Sequence, residues 1–339
     1  MASDDPIVVL DGYPLDAAQR ARLEAVSDRL RVIHRPIDDQ EAIDGLDDPE
    51  VEILLGEYVP ADLRCLPRLR WVQYSGAGVD PLTDQAPWAN GLLVTTASGG
   101  NSVAIGEYVL GWLLHLSQQI GELLENRKHR TWATTRLSLG GHALRGRTLA
   151  VVGYGSVGRE VARLAQAFGM RILAAKARPD VLVDEGFRIP GTGDPDGSIP
   201  ERIVGFDRLG EVVREADYVL VAAPLTPATR GVLGAAVLEA LRPHAWFINV
   251  GRGDLFDETA VIEAARAERF AGAVLDVQSV EPLPAASPLW TVPNIIVTPH
   301  VAGLAETTWD SLTELFVQNL GRYVAGEPLL NPVDPKLGY

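Results

Sequence analysis

The sequence predicts an α/β fold with two doubly wound parallel-sheet domains. The chain has 339 residues, which is more than one hydrophobic core usually serves. Short apolar runs alternate with helix-length segments along most of it, and this alternation is typical of parallel strands joined by helices. With 47% hydrophobic and 22% charged residues, the composition is that of a folded protein.

The smaller domain is predicted at residues 1–101 plus 303–339. Apolar runs at 6–10, 51–55 and 69–74 predict strands, and 17–30 predicts an amphipathic helix. Residues 306–323 have apolar positions at helical spacing but are too few for a domain, so we expect them to pack back on the first hundred residues. This domain is therefore expected to be discontinuous.

The larger domain is predicted at residues 102–302. It opens with a long helical segment whose first half is apolar nearly all round, so we expect that helix to be buried in its own domain or against a second copy in a homodimer. Helices are predicted at 235–241 and 258–268, and the Gly, Pro and Asp residues of 184–203 predict an exposed loop. The predicted strands, each followed by turn residues, lie in TLAVVGYG, MRILAA, DYVLVAAP, AWFINVG, FAGAVLDV and NIIVTPH.

Charge and cysteine content narrow the range of partners. The formal net charge of -15 disfavours a nucleic-acid partner. Cys65 is the only cysteine, so we expect no disulfide framework and no cysteine-based zinc cluster, which fits a reducing cytoplasm; no metal-binding residues are predicted. The N-terminus is acidic before it is apolar, and the longest apolar run is far too short to span a bilayer, so no membrane partner is expected.

A glycine motif, Gly153-Tyr154-Gly155-Ser156-Val157-Gly158, follows the strand TLAVV and precedes a predicted helix. Gly153 permits a tight turn, Gly155 lets the backbone approach a pyrophosphate, and Gly158 allows close helix packing. The helix N-terminus, with Ser156 and Val157, offers N–H groups to phosphates. In this strand–turn–helix context the motif predicts a dinucleotide-binding Rossmann domain.

The position that reads the cofactor ribose carries cations. An acidic residue is expected about 20 residues after the glycines, at the end of the next strand. That strand is followed by Lys176 and Arg178, whereas Asp180 comes later. Cations there favour the 2′-phosphate of NADP over NAD. The alternative, that Lys176 points to solvent and NAD is accepted, stays open.

Three charged residues follow apolar strands of the larger domain. Arg252, Glu281 and His300 each come after such a strand, on the edge where open α/β sheets bind ligands. Arginine can hold a carboxylate and polarise a carbonyl, histidine can exchange a proton near neutral pH, and a carboxylate can orient the imidazole. Together they predict hydride transfer to the carbonyl of a small 2-oxo acid, with NAD or NADP as cofactor.

The motifs resemble those of the D-isomer-specific 2-hydroxyacid dehydrogenases nearly end to end. The shared stretches are YSGAGVD, GGNSVAIGEYVLG, the glycine motif, APLTPATRGVL, NVGRGD, LDVQSVEPLP and TPHVAG. The resemblance implies a Rossmann cofactor domain and a smaller flavodoxin-like substrate domain. It implies that Arg252 binds and polarises substrate, that His300 is the acid/base and that Glu281 is its partner.

The same resemblance implies the remaining site residues. Pro224 and Asp276 would bind the cofactor, Asp276 through the nicotinamide carboxamide. Backbone N–H groups of Ser75, Gly76, Ala77 and Gly78 would hold the substrate carboxylate.

The sequence departs from the family pattern at two positions, Lys176 and Gln278. The family often has an aromatic residue in place of Gln278, so a more polar wall is expected there. Formate-oxidising relatives carry glutamine where this chain has Glu281, which disfavours formate oxidation.

Two other functions stay open at this stage: a dinucleotide-sensing, corepressor-like binding protein and a phosphite dehydrogenase-like enzyme. Among 2-oxo acids, hydroxypyruvate, glyoxylate and bulkier acids stay open. The absence of a basic cluster near residues 75–80 disfavours a phosphorylated substrate such as 3-phosphoglycerate.

Overall fold

The computed structural model describes residues 6–82, 87, 91–132 and 140–338. These residues form two compact units. Unit 1 comprises Met1–Asn101, Glu185–Ile189 and Ala305–Tyr339 so far as they are described, and unit 2 comprises Ser102–Asp184 and Pro190–Leu304. Each unit is built on its own parallel sheet, which confirms the predicted fold class. None of the helices in these ranges is long and apolar enough to cross a membrane.

The elements follow one another in chain order. They are β1 (Ile7–Asp11), α1 (Ala17–Glu24), β2 (Leu30–His34), α2 (Gln40–Asp44), β3 (Val51–Gly56), β4 (Trp71–Tyr74), β5 (Leu93–Thr95), α3 (Ser102–Ser117), α4 (Ile120–Lys128), β6 (Thr148–Val152), α5 (Ser156–Ala167), β7 (Arg171–Ala175), β8 (Arg202–Val204), α6 (Leu209–Val213), β9 (Tyr218–Val221), α7 (Ala235–Ala240), β10 (Trp246–Asn249), α8 (Glu258–Arg266), β11 (Gly272–Leu275), β12 (Ile295–Val297) and α9 (Thr308–Ala325).

Unit 1 contains a parallel sheet with the strand order β2-β1-β3-β4-β5 in the described chain. The interior strand β1 is buried along its whole length, because apolar clusters cover both faces of the sheet. Leu54 and Val72 belong to the cluster on one face, and Ile53 belongs to the cluster on the other. Helix α9 contributes Leu315 and Phe316 to that second cluster, so the C-terminal helix is part of unit 1.

Unit 2 contains a longer parallel sheet with the strand order β12-β11-β10-β9-β6-β7-β8. Alternate residues of its strands enter two separate apolar clusters, as they must when both faces are covered. Val152 and Leu275 lie in one cluster, while Val151 and Val274 lie in the other. All strands of this sheet are parallel, so their carboxyl ends meet at one edge.

Several predicted boundaries were wrong. The helix predicted over 17–30 ends at Glu24, because residues 30–34 form β2 instead. The short elements α2 and β5 were not predicted. The predicted long helix after residue 102 is divided into two helices, α3 and α4. Gln119 lies between them, and its φ of 52° is in the left-handed region, which interrupts a right-handed helix. Helix α3 is packed in its own unit through the buried residues Ile105, Val109 and Leu113.

The segment predicted as an exposed loop, 184–203, is largely anchored. Phe187 is only 3% exposed and lies in an apolar cluster of unit 1 with Leu312. Its backbone N–H donates to Asn331 Oδ1 at 2.9 Å. A Cβ added to Gly99 would lie 2.1 Å from the Phe187 carbonyl oxygen, so the segment fits closely against Gly99. The segment lacks helix and strand up to residue 201, as predicted for a loop, but its exposure was wrongly predicted at Phe187, because this apolar side chain anchors its first half.

The second half of this segment is anchored in unit 2. Asp194 is buried, and its carboxylate accepts hydrogen bonds from the Tyr154 hydroxyl at 2.6 Å and from the N–H groups of Ser198 and Ile199. Although burial raises the pKa of Asp194, these hydrogen bonds bring it below its ordinary value. Because Tyr154 belongs to the glycine motif, this hydrogen bond joins the motif directly to the segment.

Candidate active site

His300 and Glu281 form a hydrogen-bonded pair at the carboxyl edge of the unit 2 sheet. His300 Nδ1 and Glu281 Oε2 are 2.7 Å apart, and a carboxylate can only accept, so Nδ1 carries the proton. The other Glu281 oxygen, Oε1, accepts the backbone N–H of Gln278 at 2.8 Å. Half of the His300 side chain is exposed, so Nε2 can be reached by a ligand. The structure therefore brings these two predicted residues together in the arrangement that a proton-transferring histidine needs.

The backbone of His300 is held in an unusual conformation by Asp276. His300 has a φ of 54°, a region that costs energy for a residue with a Cβ. Its N–H donates to the Asp276 carbonyl at 2.8 Å. The Asp276 carboxylate then accepts the N–H of Val301 on Oδ1 at 3.1 Å and the N–H of Ala302 on Oδ2 at 2.9 Å. Three consecutive backbone groups are thus fixed by one buried residue.

Two hydroxyl groups complete the surroundings of Asp276. Thr298 Oγ1 donates to Asp276 Oδ1 at 2.7 Å, and the Tyr108 hydroxyl lies 2.6 Å from Thr298 Oγ1 and 3.2 Å from Asp276 Oδ1. Burial raises the pKa of Tyr108, an effect that Thr298 partly offsets, so the phenol stays a neutral donor. The residue predicted to contact the nicotinamide carboxamide therefore also anchors the turn that carries His300.

Arg252 lies on the same edge, after the end of β10. The buried Asn249 side chain accepts the N–H of Gly251 at 3.1 Å and donates to the Arg252 carbonyl at 2.9 Å. A Cβ added to Gly253 would lie 2.0 Å from the carbonyl carbon of Gln278. Only glycine can come so close, and the segment of Arg252 therefore packs against the segment that leads to Glu281.

The glycine motif has the geometry that a pyrophosphate requires. Gly153 has a φ of 98°, and a Cβ there would lie 2.4 Å from Ala223 N, beside Pro224 at the end of β9. A Cβ at Gly158 would lie 2.3 Å from the Gly153 carbonyl oxygen. At Gly155, by contrast, a Cβ would meet nothing within 4 Å.

Gly155 also begins α5. It is the N-cap residue, so the N–H groups of the first helical turn point out of the N-terminal end of α5. The packing of this unit does not explain a glycine at position 155, whereas the approach of a phosphate group does. The residues present therefore fit a dinucleotide.

Lys176 follows β7 as predicted, but its ammonium group is already bonded. Nζ donates to the Val181 carbonyl at 2.8 Å. Burial lowers the pKa of Lys176, and the nearby Arg159 lowers it further. Arg178 is exposed.

A cavity of about 500 Å³ lies between the ends of β7 and β8, a size that suits a small ligand. Lys176 and Arg178 flank Ala177, which lines it, while Asp180 and Arg208 are also lining residues. The region after β7 that the sequence predicts to read the ribose therefore contains both cations and carboxylates. The complete lining is Ala177, Pro179, Asp180, Ile203, Val204, Gly205, Phe206, Asp207 and Arg208.

The predicted substrate segment, Ser75 to Gly78, follows β4 at the carboxyl edge of the unit 1 sheet. The N–H of Ser75 donates to the Gly56 carbonyl at 3.3 Å, and the Gly76 carbonyl accepts the N–H of Ala97 at 3.0 Å. Within the described ranges, no hydrogen bond uses the N–H groups of Gly76, Ala77 or Gly78. These three groups are available to an anion.

Sequence reasoning missed Tyr108, Thr298 and Asn249. The Gln278 side chain is 7% exposed, and its Nε2 donates to the Leu275 carbonyl at 2.9 Å. Asn249 and Thr298 stand in the quoted motifs NVGRGD and TPHVAG, and a polar residue at a strand end was the available signal.

Comparison with known proteins identifies the family. Residues 110–302 match the family model described as "D-isomer specific 2-hydroxyacid dehydrogenase, NAD binding domain". The chain belongs to this family. The dehydrogenase is 33% identical over 256 residues to the (S)-sulfolactate dehydrogenase of Chromohalobacter salexigens, covering 76% of this chain and 78% of that one. It is 28% identical over 297 residues to the glycerate dehydrogenase of Methylorubrum extorquens, covering 85% and 87%.

A solved structure agrees with this assignment. The D-isomer specific 2-hydroxyacid dehydrogenase from Xanthobacter autotrophicus, in complex with NADPH and MES, superposes with a TM-score of 0.79 at 28% identity, covering 98% of this chain and all of that one. The dehydrogenase is thus an NAD(P)-dependent oxidoreductase. The corepressor-like and phosphite dehydrogenase-like alternatives are not favoured by these relatives.

Replacing Gly155 by Ala tests the fit of the glycine motif to a dinucleotide. We expect Gly155→Ala to fold normally, because the added methyl group meets no atom of the protein, but to bind NADPH and NADH roughly tenfold more weakly. Gly158→Ala should instead destabilise the fold by about 1–3 kcal/mol through overpacking. Fluorescence titration and thermal unfolding separate the two effects. Unchanged dinucleotide affinity in Gly155→Ala would contradict the assignment.

Proposed function

We propose that this dehydrogenase interconverts a D-2-hydroxy acid and its 2-oxo acid by hydride transfer. The observation that carries the proposal is the His300–Glu281 pair, joined at 2.7 Å on the sheet edge that also holds Arg252 and the glycine motif. Unit 2 would be the cofactor domain and unit 1 the substrate domain.

Each residue would have a distinct role. In the reductive direction His300 Nε2 donates a proton to the carbonyl oxygen, while Glu281 holds Nδ1 and stabilises the imidazolium. Arg252 binds and polarises the substrate with its planar guanidinium. A reduced nicotinamide, when bound, supplies the hydride. Asp276, whose Oδ2 accepts only the Ala302 N–H among the described residues, would also accept from its carboxamide.

The substrate carboxylate would be bound in unit 1. The N–H groups of Gly76, Ala77 and Gly78, which no hydrogen bond of the described residues uses, would donate to that carboxylate. A panel of glyoxylate, hydroxypyruvate, phosphorylated and bulkier 2-oxo acids tests which substrate side chain the enzyme accepts.

Replacing His300 by Asn tests the acid/base assignment. We expect His300→Asn to lower kcat for 2-oxo acid reduction by about 10²–10⁴, the usual contribution of a general acid or base. Dinucleotide affinity should stay within about twofold of wild type, because the glycine motif is untouched. Steady-state kinetics with the panel, including phosphite as a non-carbon substrate, provide the measurement. Turnover like that of the wild type would refute the role of His300.

We further propose that NADPH is accepted at least as well as NADH, through Lys176 and Arg178. Both cations lie directly after β7, where a 2′-phosphate would approach, and burial has already reduced the hydration of Lys176. A phosphate could displace the neutral Val181 carbonyl as the partner of Nζ, because charge-assisted hydrogen bonds are stronger. The carboxylates of Asp180 and Asp207 act in the opposite direction.

Replacing Lys176 by Ala tests this preference. We expect Lys176→Ala to raise the KM for NADPH roughly tenfold or more, with little change for NADH, because one charged hydrogen bond is lost. Arg178→Gln is the matched variant, since it removes a cation without freeing the Val181 carbonyl. Equal changes for both cofactors would indicate a loop effect, and a strong NADH preference that survives Lys176→Ala would disprove the proposal.

We also propose a homodimer in a reducing cytoplasm. Helix α4 has no buried residue, and Leu123 and Leu124 are each 47% exposed on it. Leucines side by side on a surface helix suit a contact with a second copy. A single cysteine, Cys65, is in keeping with a reducing compartment.

Charged substitutions in α4 test the dimer. We expect Leu123→Glu with Leu124→Glu to give a monomer, because two carboxylates would have to be buried at the interface. Light scattering coupled to size-exclusion chromatography measures the mass. The control is Val183→Glu, at an exposed apolar residue outside α4. A monomeric wild type, or a double variant that stays dimeric, would exclude this interface.

A further inference from the structure

Gln278 occupies a junction between three segments of unit 2. It follows the end of β11 by three residues and is 7% exposed. Its neighbours in space are the segments that carry Arg252, Glu281 and His300. A polar side chain this deeply buried must form hydrogen bonds, and those bonds determine what it holds.

The side chain joins the ends of two adjacent strands. Nε2 donates to the Leu275 carbonyl at the end of β11 at 2.9 Å and to the Thr298 carbonyl just past β12 at 3.4 Å. The Leu275 carbonyl also accepts the N–H of Thr298 at 3.0 Å. The amide therefore reinforces the connection between the strands at the point where the chain turns towards His300.

The backbone of Gln278 contacts the other two segments. Its N–H donates to Glu281 Oε1 at 2.8 Å and fixes one carboxylate oxygen, which leaves the other for His300. Its carbonyl carbon packs against Gly253, where an added Cβ would lie 2.0 Å away. The residue next to Arg252 is thus in contact with the residue that orients Glu281.

We infer that Gln278 is a positioning residue that sets the relative placement of Arg252, Glu281 and His300. It acts through these residues and is not required to touch the substrate. The inference rests on the proposed function of this site. Its physical basis is that hydride and proton transfer need reacting groups aligned to within a fraction of an ångström, and small misplacements reduce the rate strongly.

Gln278→Met removes the amide and keeps a flexible side chain of similar length. The backbone N–H to Glu281 is retained, whereas the bonds to Leu275 and Thr298 are lost. The Leu275 carbonyl still accepts the N–H of Thr298 in this variant. The Thr298 carbonyl loses the donor that Gln278 provided, so the turn before His300 is the part that is less firmly held. We expect kcat for 2-oxo acid reduction to fall roughly tenfold or more. The KM for the dinucleotide should stay within about twofold, because the glycine motif lies elsewhere.

The test uses the full-length enzyme and a 2-oxo acid that the wild type reduces. The primary deuterium isotope effect on kcat, with deuterium at the transferred position of the reduced cofactor, should rise in Gln278→Met as hydride transfer becomes slower. Gln318→Met is the matched control, because Gln318 is an exposed residue of α9 that is hydrogen-bonded to Glu314. This control should leave kcat and its isotope effect unchanged. Circular dichroism and thermal unfolding measure the fold.

Gln278→Glu provides a second variant of the same shape. Its carboxylate cannot donate to the two carbonyls, whereas its protonated form can donate one hydrogen bond. Its kcat relative to wild type should therefore recover as the pH falls. A kcat of Gln278→Met within twofold of wild type would overturn the inference. A loss of dinucleotide affinity or of folded protein as large as the loss of kcat would also overturn it. The substitution would then disturb the whole domain and not specifically the placement of the three residues.

NMR spectroscopy of the ligand-free protein separates this inference from the proposed function. With ¹⁵N-labelled histidine, the Nδ1–H signal of His300, assigned by its absence in His300→Asn, should move in Gln278→Met and stay in Gln318→Met. If the wild type reduces no 2-oxo acid, the proposed function fails, but this measurement still decides the inference. An unchanged His300 signal in Gln278→Met would refute it.

Discussion

Four hydrogen-bond donors converge on the buried carboxylate of Asp276, and the position of His300 depends on them. The donors come from Tyr108 in α3, from Thr298 and from the backbone of Val301 and Ala302. A buried carboxylate is tolerated only when its oxygens are satisfied, so these groups are mutually dependent. The energy that a left-handed histidine costs is offset by this set of bonds. The imidazole can then meet Glu281 without rearranging during the reaction.

The sequence predicted those parts of the molecule that follow from local patterns. The strands of the unit 2 sheet are continuous apolar runs, because both faces are covered, and their ends indicated Arg252, Glu281 and His300. Strand β2 was missed because its residues are half-buried or exposed, which gives no continuous apolar run. The anchoring of Asp276 was missed for another reason. Its donors are up to 194 positions apart along the chain, and no local pattern connects them.

Lys176 illustrates what the type of a residue predicts about the cofactor and what only its surroundings show. The sequence predicts a cation after the second strand of the cofactor domain, where we propose that the ribose is read, and in the structure Lys176 directly follows β7. The structure also gives it a partner, the Val181 carbonyl, and surrounds the nearby cavity with Asp180 and Asp207 as well as Arg208. Cofactor preference is therefore a balance between charges on two strand ends. Only the fold shows which of these charges are neighbours, because β7 and β8 are separated by a long segment.

That long segment also contributes to unit 1, whose stretches are separated along the chain by parts of unit 2, and this arrangement constrains the order in which the chain can fold. Unit 1 is assembled from three separate stretches, the second of which is the five-residue piece Glu185–Ile189 with Phe187 in its apolar cluster. During synthesis, the sheet of unit 1 is made before unit 2, whereas α9 is made after it. Unit 2 is therefore complete in sequence while the first-made unit still exposes part of its core. The partly synthesised chain would therefore depend on protection from aggregation until α9 has been made. No contiguous fragment of the gene encodes unit 1 alone.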